Sequence, residues 1–277
     1  MRNKGQNRKK EPSRRLYTIL AIIFGVILVI CLVMMVRDYL KQRKAEAQFN
    51  ALAVMGEESE SVATEAIEAQ QSTETDVLVQ LGIEVPEKNL DWDVLTEENE
   101  DIYAWIYIPN TQVDYPILQH PTENDYYLSH NLDGSSGYPG CIYTQLLNGK
   151  EFRDANTVLY GHNMKNGTMF GSLHEYEDNT FFEENPYVYI YTPDKVLVYE
   201  IFAACTFSDA HLLYTYDCTK EEKFREYVDD LTGVRDMNSH VRSDVDVSYG
   251  DFILTMSTCI RNQPTQRWLV TAVLLND

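Results

Sequence analysis

Basic residues are scarce over most of this chain. Of 277 residues, 23 are Lys or Arg and 43 are Asp or Glu, a formal net charge of -20. Residues 1–44 hold 11 of the basic residues and only 2 of the acidic ones, which leaves 12 against 41 for the remainder. A body so acidic repels phosphates instead of displacing their counterions, so nucleic acid is excluded as a partner. Cysteine is sparse as well, with five in all, and Cys31 lies inside an apolar run. No CxxC pair occurs and no Cys–His spacing suits zinc, so no metal site is expected. The other four (Cys141, Cys205, Cys218 and Cys259) would allow two disulfides in an oxidising compartment, but a domain of this size buries an adequate core without such staples.

One long stretch lacks charge altogether. Leu16 to Val36 is 21 residues of apolar character, and a helix of about 20 such residues matches a hydrocarbon layer ~30 Å thick. A cleaved signal peptide would have a shorter apolar region, with a small-residue cleavage site close behind it. Here Arg37, Asp38 and Lys41 follow instead, which favours an uncleaved anchor. Arg2, Lys4, Arg8, Lys9, Lys10, Arg14 and Arg15 precede the run, so the positive-inside bias puts the N-terminus in the cytoplasm and the rest of the chain outside. Residues 1–15 are therefore expected to be a basic cytoplasmic tail and 16–36 the membrane anchor. Residues 37–88 are expected to form an acidic spacer, a solvated stalk or loose helix, because Ala45 to Thr75 lacks Pro and nearly lacks aromatics.

From about Asn89 aromatic and β-branched residues become frequent. Leu90 to Trp105 reads as a helix. Val113–Gln119, Gly140–Thr144, Thr157–Tyr160, Tyr187–Tyr191 and Val196–Thr206 read as strands bounded by turn residues. Thr219 to Leu231 is the clearest helix, with Thr219 as cap and Phe224, Tyr227, Val228 and Leu231 on one face. Asp251–Thr258 and Arg267–Leu275 complete the strands. Many short strands with few helices predict a mainly β fold, a closed barrel with helical insertions.

Two segments carry chemistry. Cys259 ends one predicted strand and Arg267 begins the next, so antiparallel pairing would set the two side chains together at one rim. A cysteine attacking an amide needs a thiolate, and its tetrahedral intermediate needs positive charge or hydrogen-bond donors. Arginine supplies a permanent charge and a rigid fork of donors. Local composition alone favours a blander reading, with Cys259 a small core residue and Arg267 a solvated strand end. The second segment is TVLYGHNMKNGTMF (157–170), where His162 follows a strand in a Gly/Asn-rich turn, a place where an imidazole can move protons near neutral pH. Of the six histidines only this one stands at a strand-to-loop corner beside an aromatic-Gly pair.

Together these segments resemble the sortase family. TMSTC (255–259) is similar to its nucleophile strand, Arg267 sits in the position of its arginine, and YGHNMKNGTMF (160–170) is nearest to class B members. YAWIYIPNTQVDYPILQ (103–119), NDYYLSHN (124–131) and GCIYTQ (140–145) extend the likeness over roughly residues 89–277. The resemblance implies a closed barrel of about eight strands with N-terminal helices and a helix before the nucleophile strand, forming an extracellular catalytic domain. It implies that Cys259 attacks the carbonyl after a threonine in a C-terminal sorting signal. His162 would move the protons, and Arg267 would hold substrate and stabilise the oxyanion with help from the Ile260 backbone. A peptidoglycan or lipid-linked amine would resolve the thioester, without cofactor or metal. Asn124, Leu128, Ser257, Thr258 and Ile260 match positions near the substrate groove, and Leu212, Leu213 and Tyr214 are expected to form another wall. Ile260 departs from relatives that can carry an acidic residue there, and Cys205 and Cys218 are not family hallmarks.

Three other readings compete. A pilin-polymerising relative would use a protein lysine as the amine. A papain-like protease is disfavoured because its cysteine opens a helix near the mature N-terminus. A non-catalytic wall-facing binding protein would have no use for the three reactive groups.

Overall fold

The computed structural model describes residues 14–58 and 74–276, so most of the expected basic tail, and residues 59–73 of the expected spacer, lie outside it. The chain divides into two units, Met1–Lys44 and Ala45–Asp277. In the first, the run from Tyr17 to Val36 is helical with its large apolar side chains exposed all round. A helix apolar on every face needs a lipid or protein environment. Among the described residues it is the one helix long and apolar enough to cross a membrane, with a mean hydropathy of 3.4 in its most apolar window.

The second unit opens with residues assigned above to a spacer. The helix α1 (Arg14–Glu58) carries Phe49 and Leu52, and α2 (Glu74–Leu81) carries Leu78; all three are buried in the main core, as is Ile83. Phe49 stands edge-on to Tyr115 with ring centroids 5.6 Å apart. A composition poor in apolar residues hid the few that matter, and this part of the spacer is packed rather than solvated.

The helix expected over Leu90 to Trp105 is shorter. It forms α3 (Trp92–Glu98), capped by Asp91, whose carboxylate accepts from the amides of Asp93 and Val94. It stops at Asn99, and Ile102 and Trp105 belong to a strand, β1 (Ile102–Tyr107). The β-branched and aromatic residues of IYAWIY suit a buried strand flanked on both edges, and that tertiary demand overrode the helical spacing. The remaining strands are β2 (Asp114–Leu118), β3 (Ile142–Tyr143), β4 (Asn156–Tyr160), β5 (Tyr187–Tyr191), β6 (Val196–Ser208), β7 (His240–Val241), β8 (Ile253–Ile260) and β9 (Gln263–Leu274). Eight of them join in the order β5-β1-β2-β3-β4-β8-β9-β6, and β6 pairs back on β5 to close a barrel, with β7 added to the side of β6. The pairs β2–β3 and β4–β8 are parallel and the others antiparallel. Closure removes the exposed edges that a sheet of this width would otherwise present.

Short helices cover the outside: α4 (Asn179–Glu184), α5 (Leu212–Thr215) and α6 (Glu221–Gly233). As the spacing predicted, α6 buries Phe224, Tyr227 and Leu231 together, against Cys205, Phe207 and Leu269 among others. Burying such a side chain contributes about 1.5–3 kcal/mol. Its start differs from the expectation: Lys220 is the N-cap residue, and the Thr219 hydroxyl bonds the Asp217 carboxylate instead.

Candidate active site

The β8–β9 hairpin sets the first two groups. Its register pairs Cys259 directly with Arg267, and opposed residues of an antiparallel ladder share a face with Cβ atoms about 4.5–5.5 Å apart. Cys259 is exposed. The Arg267 Nη1 donates to the carbonyls of Pro264 at 3.0 Å and Gln266 at 2.8 Å, so the guanidinium is braced against the start of its own strand. The hairpin is longer than expected, with β9 starting at Gln263 rather than Arg267.

The third group arrives from the neighbouring strand. β4 runs parallel to β8 with Tyr160 opposite Ser257, so Gly161 and His162 lie alongside Thr258 and Cys259. The Thr258 hydroxyl donates to the Gly161 carbonyl at 2.8 Å, and the Gly161 amide donates to the Ser257 carbonyl at 3.3 Å. A Cβ at Gly161 would lie 2.5 Å from Ile142 Cδ1 and 2.7 Å from Phe170 Cδ2. A side chain at this position would force Ile142 or Phe170 to move, so glycine suits the end of the strand before His162. The His162 Nε2 is 2.7 Å from the carbonyl oxygen of Leu128. A carbonyl only accepts, so Nε2 carries a proton, and in the neutral ring Nδ1 holds the lone pair. The Tyr138 ring packs on the imidazole at a centroid distance of 4.9 Å.

Cys259, His162 and Arg267 line one cavity of about 330 Å³, together with Leu128, Leu212, Ser257 and Thr258. The other four expected substrate contacts do not line it. Asn124 uses its carbonyl oxygen to accept from the Leu146 amide at 2.9 Å. Leu213 packs beside the core under α6, while Tyr214 is 69% exposed and lies against the His211 ring. Ile260 lines a separate cavity.

Sequence reasoning missed one wall. His211 Nε2 lies 2.7 Å from Gln145 Oε1, and Gln145 Nε2 donates to Asp125 Oδ1 at 2.8 Å, a hydrogen-bonded chain along the cavity. Gln145 ends the GCIYTQ segment and Asp125 adjoins Asn124, so the motifs pointed to the right stretches but not to the side chains facing inward. Tyr143 and Tyr160 stack at 5.5 Å beside them, and burial followed by the Asp125 charge raises the pKa of each phenol above its ordinary value. The other thiols of this unit are buried and unpaired. Desolvation pushes Cys205 and Cys218 up to about 12, and Cys141 higher still. Among the described residues no cluster of His, Cys, Asp and Glu is arranged to hold a metal.

Comparison with known proteins agrees with this architecture. The sortase-domain family model matches residues 106–275. Sortase B of Listeria monocytogenes is 36% identical over 168 residues, 60% of this chain and 65% of that protein, so the match spans slightly under two thirds of that relative. Sortase B of Staphylococcus aureus is 24% identical over 264 residues, 95% of this chain and 98% of that protein. The crystal structure of sortase B from B. anthracis superposes with a TM-score of 0.65 at 26% identity, over 87% of this chain and 99% of that one. Fold and relatives together define a cysteine transpeptidase. The chain belongs to the sortase family, and the relatives it matches are of the B type.

Proposed function

We propose that Cys259 is the nucleophile of a membrane-anchored transpeptidase that cleaves a C-terminal sorting signal after threonine and transfers the acyl group to a cell-wall amine. The observation that carries this reading is the convergence of thiol, imidazole and guanidinium on one cavity, with Cys259 and Arg267 in direct register. The Cys259 thiol gives its proton to the lone pair of His162 Nδ1, the thiolate so formed adds to the threonyl carbonyl carbon, and the oxyanion is met by Arg267 and the Ile260 amide. The C–N bond then breaks, and the proton on His162 Nδ1 passes to the leaving amine, giving a thioester. An incoming amine gives its proton back to Nδ1, adds to the thioester and expels the thiolate. The Leu128 carbonyl holds the ring through Nε2–H, as an acidic residue does in other histidine-centred sites. The basic tail and apolar helix support an anchor with the catalytic unit on the outer face.

The test is cleavage of a panel of sorting-signal peptides by the full chain in detergent. Cys259→Ala should abolish turnover. Arg267→Ala should lower kcat by about 10²–10³, the range for loss of one oxyanion donor. Cleavage that survives Cys259→Ala would remove the cysteine mechanism.

A further inference from the structure

The backbone carbonyl of the proposed nucleophile is gripped by side chains that line a separate cavity. Asn163 Nδ2 lies 2.8 Å from the carbonyl oxygen of Cys259, and His174 Nε2 lies 3.1 Å from the same atom. The two nitrogens are 2.9 Å apart, and His174 Nδ1 is 2.6 Å from Glu177 Oε1. Glu177 Oε2 accepts in turn from Asn238 Nδ2 at 3.1 Å. The His174 ring stacks on buried Trp268, which follows Arg267, at a centroid distance of 5.8 Å.

Proton placement is constrained. An ionised carboxylate only accepts, so His174 Nδ1 carries a hydrogen toward Glu177. In the neutral ring Nε2 then accepts one Asn163 amide hydrogen, while the other goes to the Cys259 carbonyl. In the imidazolium form Nε2–H itself donates to that carbonyl. Either way the oxygen keeps a donor.

The grip falls where the ladder fails. The β8–β9 register shifts between Cys259 and Ile260, and at such an irregularity a peptide loses the ladder bonds that would otherwise fix its plane. In a trans peptide the C=O of Cys259 and the N–H of Ile260 point in opposite directions. Asn163 and His174 line a different cavity from the one holding Cys259, His162 and Arg267. Drawing the carbonyl toward them turns the Ile260 N–H the other way.

We propose that Asn163 and the His174–Glu177 pair are positioning residues, which hold the Cys259–Ile260 peptide so that its N–H is aimed at the oxyanion beside Arg267. This rests on the reading of Cys259 as nucleophile. The peptide cleaved fastest in the panel above serves as the acylation probe, and iodoacetamide as a second probe of the same sulfur. Alkylation displaces iodide at a saturated carbon and forms no oxyanion, so it reports on the thiolate alone.

Asn163→Ala and His174→Ala should each slow acylation about 10-fold or more, with KM and the alkylation rate changed less than about two-fold. His174→Gln, whose side-chain amide can still donate to the carbonyl, should recover most of the loss. Unchanged acylation in both alanine variants would overturn the proposal. So would a parallel fall in acylation and alkylation, which would place the effect on the thiol. If His174→Ala does not fold, Asn163→Ala decides the matter, since it leaves the Trp268 stack in place. Failure of the mechanism itself shows separately, as turnover by Cys259→Ala.

Discussion

Among the thiols of the catalytic unit, environment separates one from three. Cys259 is exposed, whereas Cys141, Cys205 and Cys218 are buried with pKa values raised by desolvation. The thiolate is the reactive form, so the buried three should be inert at neutral pH. Brief treatment of the native full chain with iodoacetamide, followed by peptide mapping, should modify Cys259 and leave the other three intact until denaturant is added. Labelling of Cys205 or Cys218 at a comparable rate would contradict the described burial. At this scale Cys259 and Arg267 were readable because they flank one hairpin turn, where register needs no long-range information. The His211–Gln145–Asp125 chain was not readable. Its members are 66 and 20 residues apart along the chain and meet only after β3, β4 and β6 take their places. His174 gave no signal for the same reason, since it sits in a 3-10 turn, 85 residues before the carbonyl it approaches.

Elements were legible where local spacing and tertiary demand agreed. The hydrophobic face of α6 and the strands β4, β5 and β8 follow the pattern of their side chains. Ile102 and Trp105 were misassigned because periodicity cannot reveal that a segment will be paired on both edges. The junction after β4 gives an element-scale prediction. Gly161 is required by contact with Ile142 and Phe170, not by an unusual backbone angle. Gly161→Ala should therefore force side-chain or strand movement costing about 1–3 kcal/mol, the usual range for overpacking. Because His162 is the next residue, kcat should fall further than stability alone explains. Melting temperature and turnover both equal to wild type would show that the strand end has slack.

For the molecule as a whole, the buried acids tie stability to pH. Tyr176, Tyr199, Tyr227, Cys141 and Cys205 all lie in the interior, and desolvation is the first cause of the raised pKa of each. Tyr176 donates its hydroxyl hydrogen to the Asn185 carbonyl at 3.0 Å, a bond that ionisation would destroy. In the unfolded chain these groups titrate at about 8.5 for cysteine and about 10 for tyrosine. Their folded pKa values lie above those figures, so on raising the pH the unfolded state releases protons first. Their contribution is fully present below the unfolded pKa and is lost as pH rises toward the folded one, with each group costing about 1.4 kcal/mol per pH unit in that window. The melting temperature should accordingly hold steady below about pH 8 and fall steeply above about pH 10. Self-repulsion of a chain with net charge -20 would also weaken the fold, but added salt screens that effect and leaves the burial effect in place. Thermal melts at two ionic strengths across this range separate the two. The share of the tyrosinate absorbance that comes from the buried phenols should appear only with unfolding, and full ionisation of all 19 tyrosines while the far-ultraviolet dichroism stays native would mean that these phenols are not sealed in the barrel.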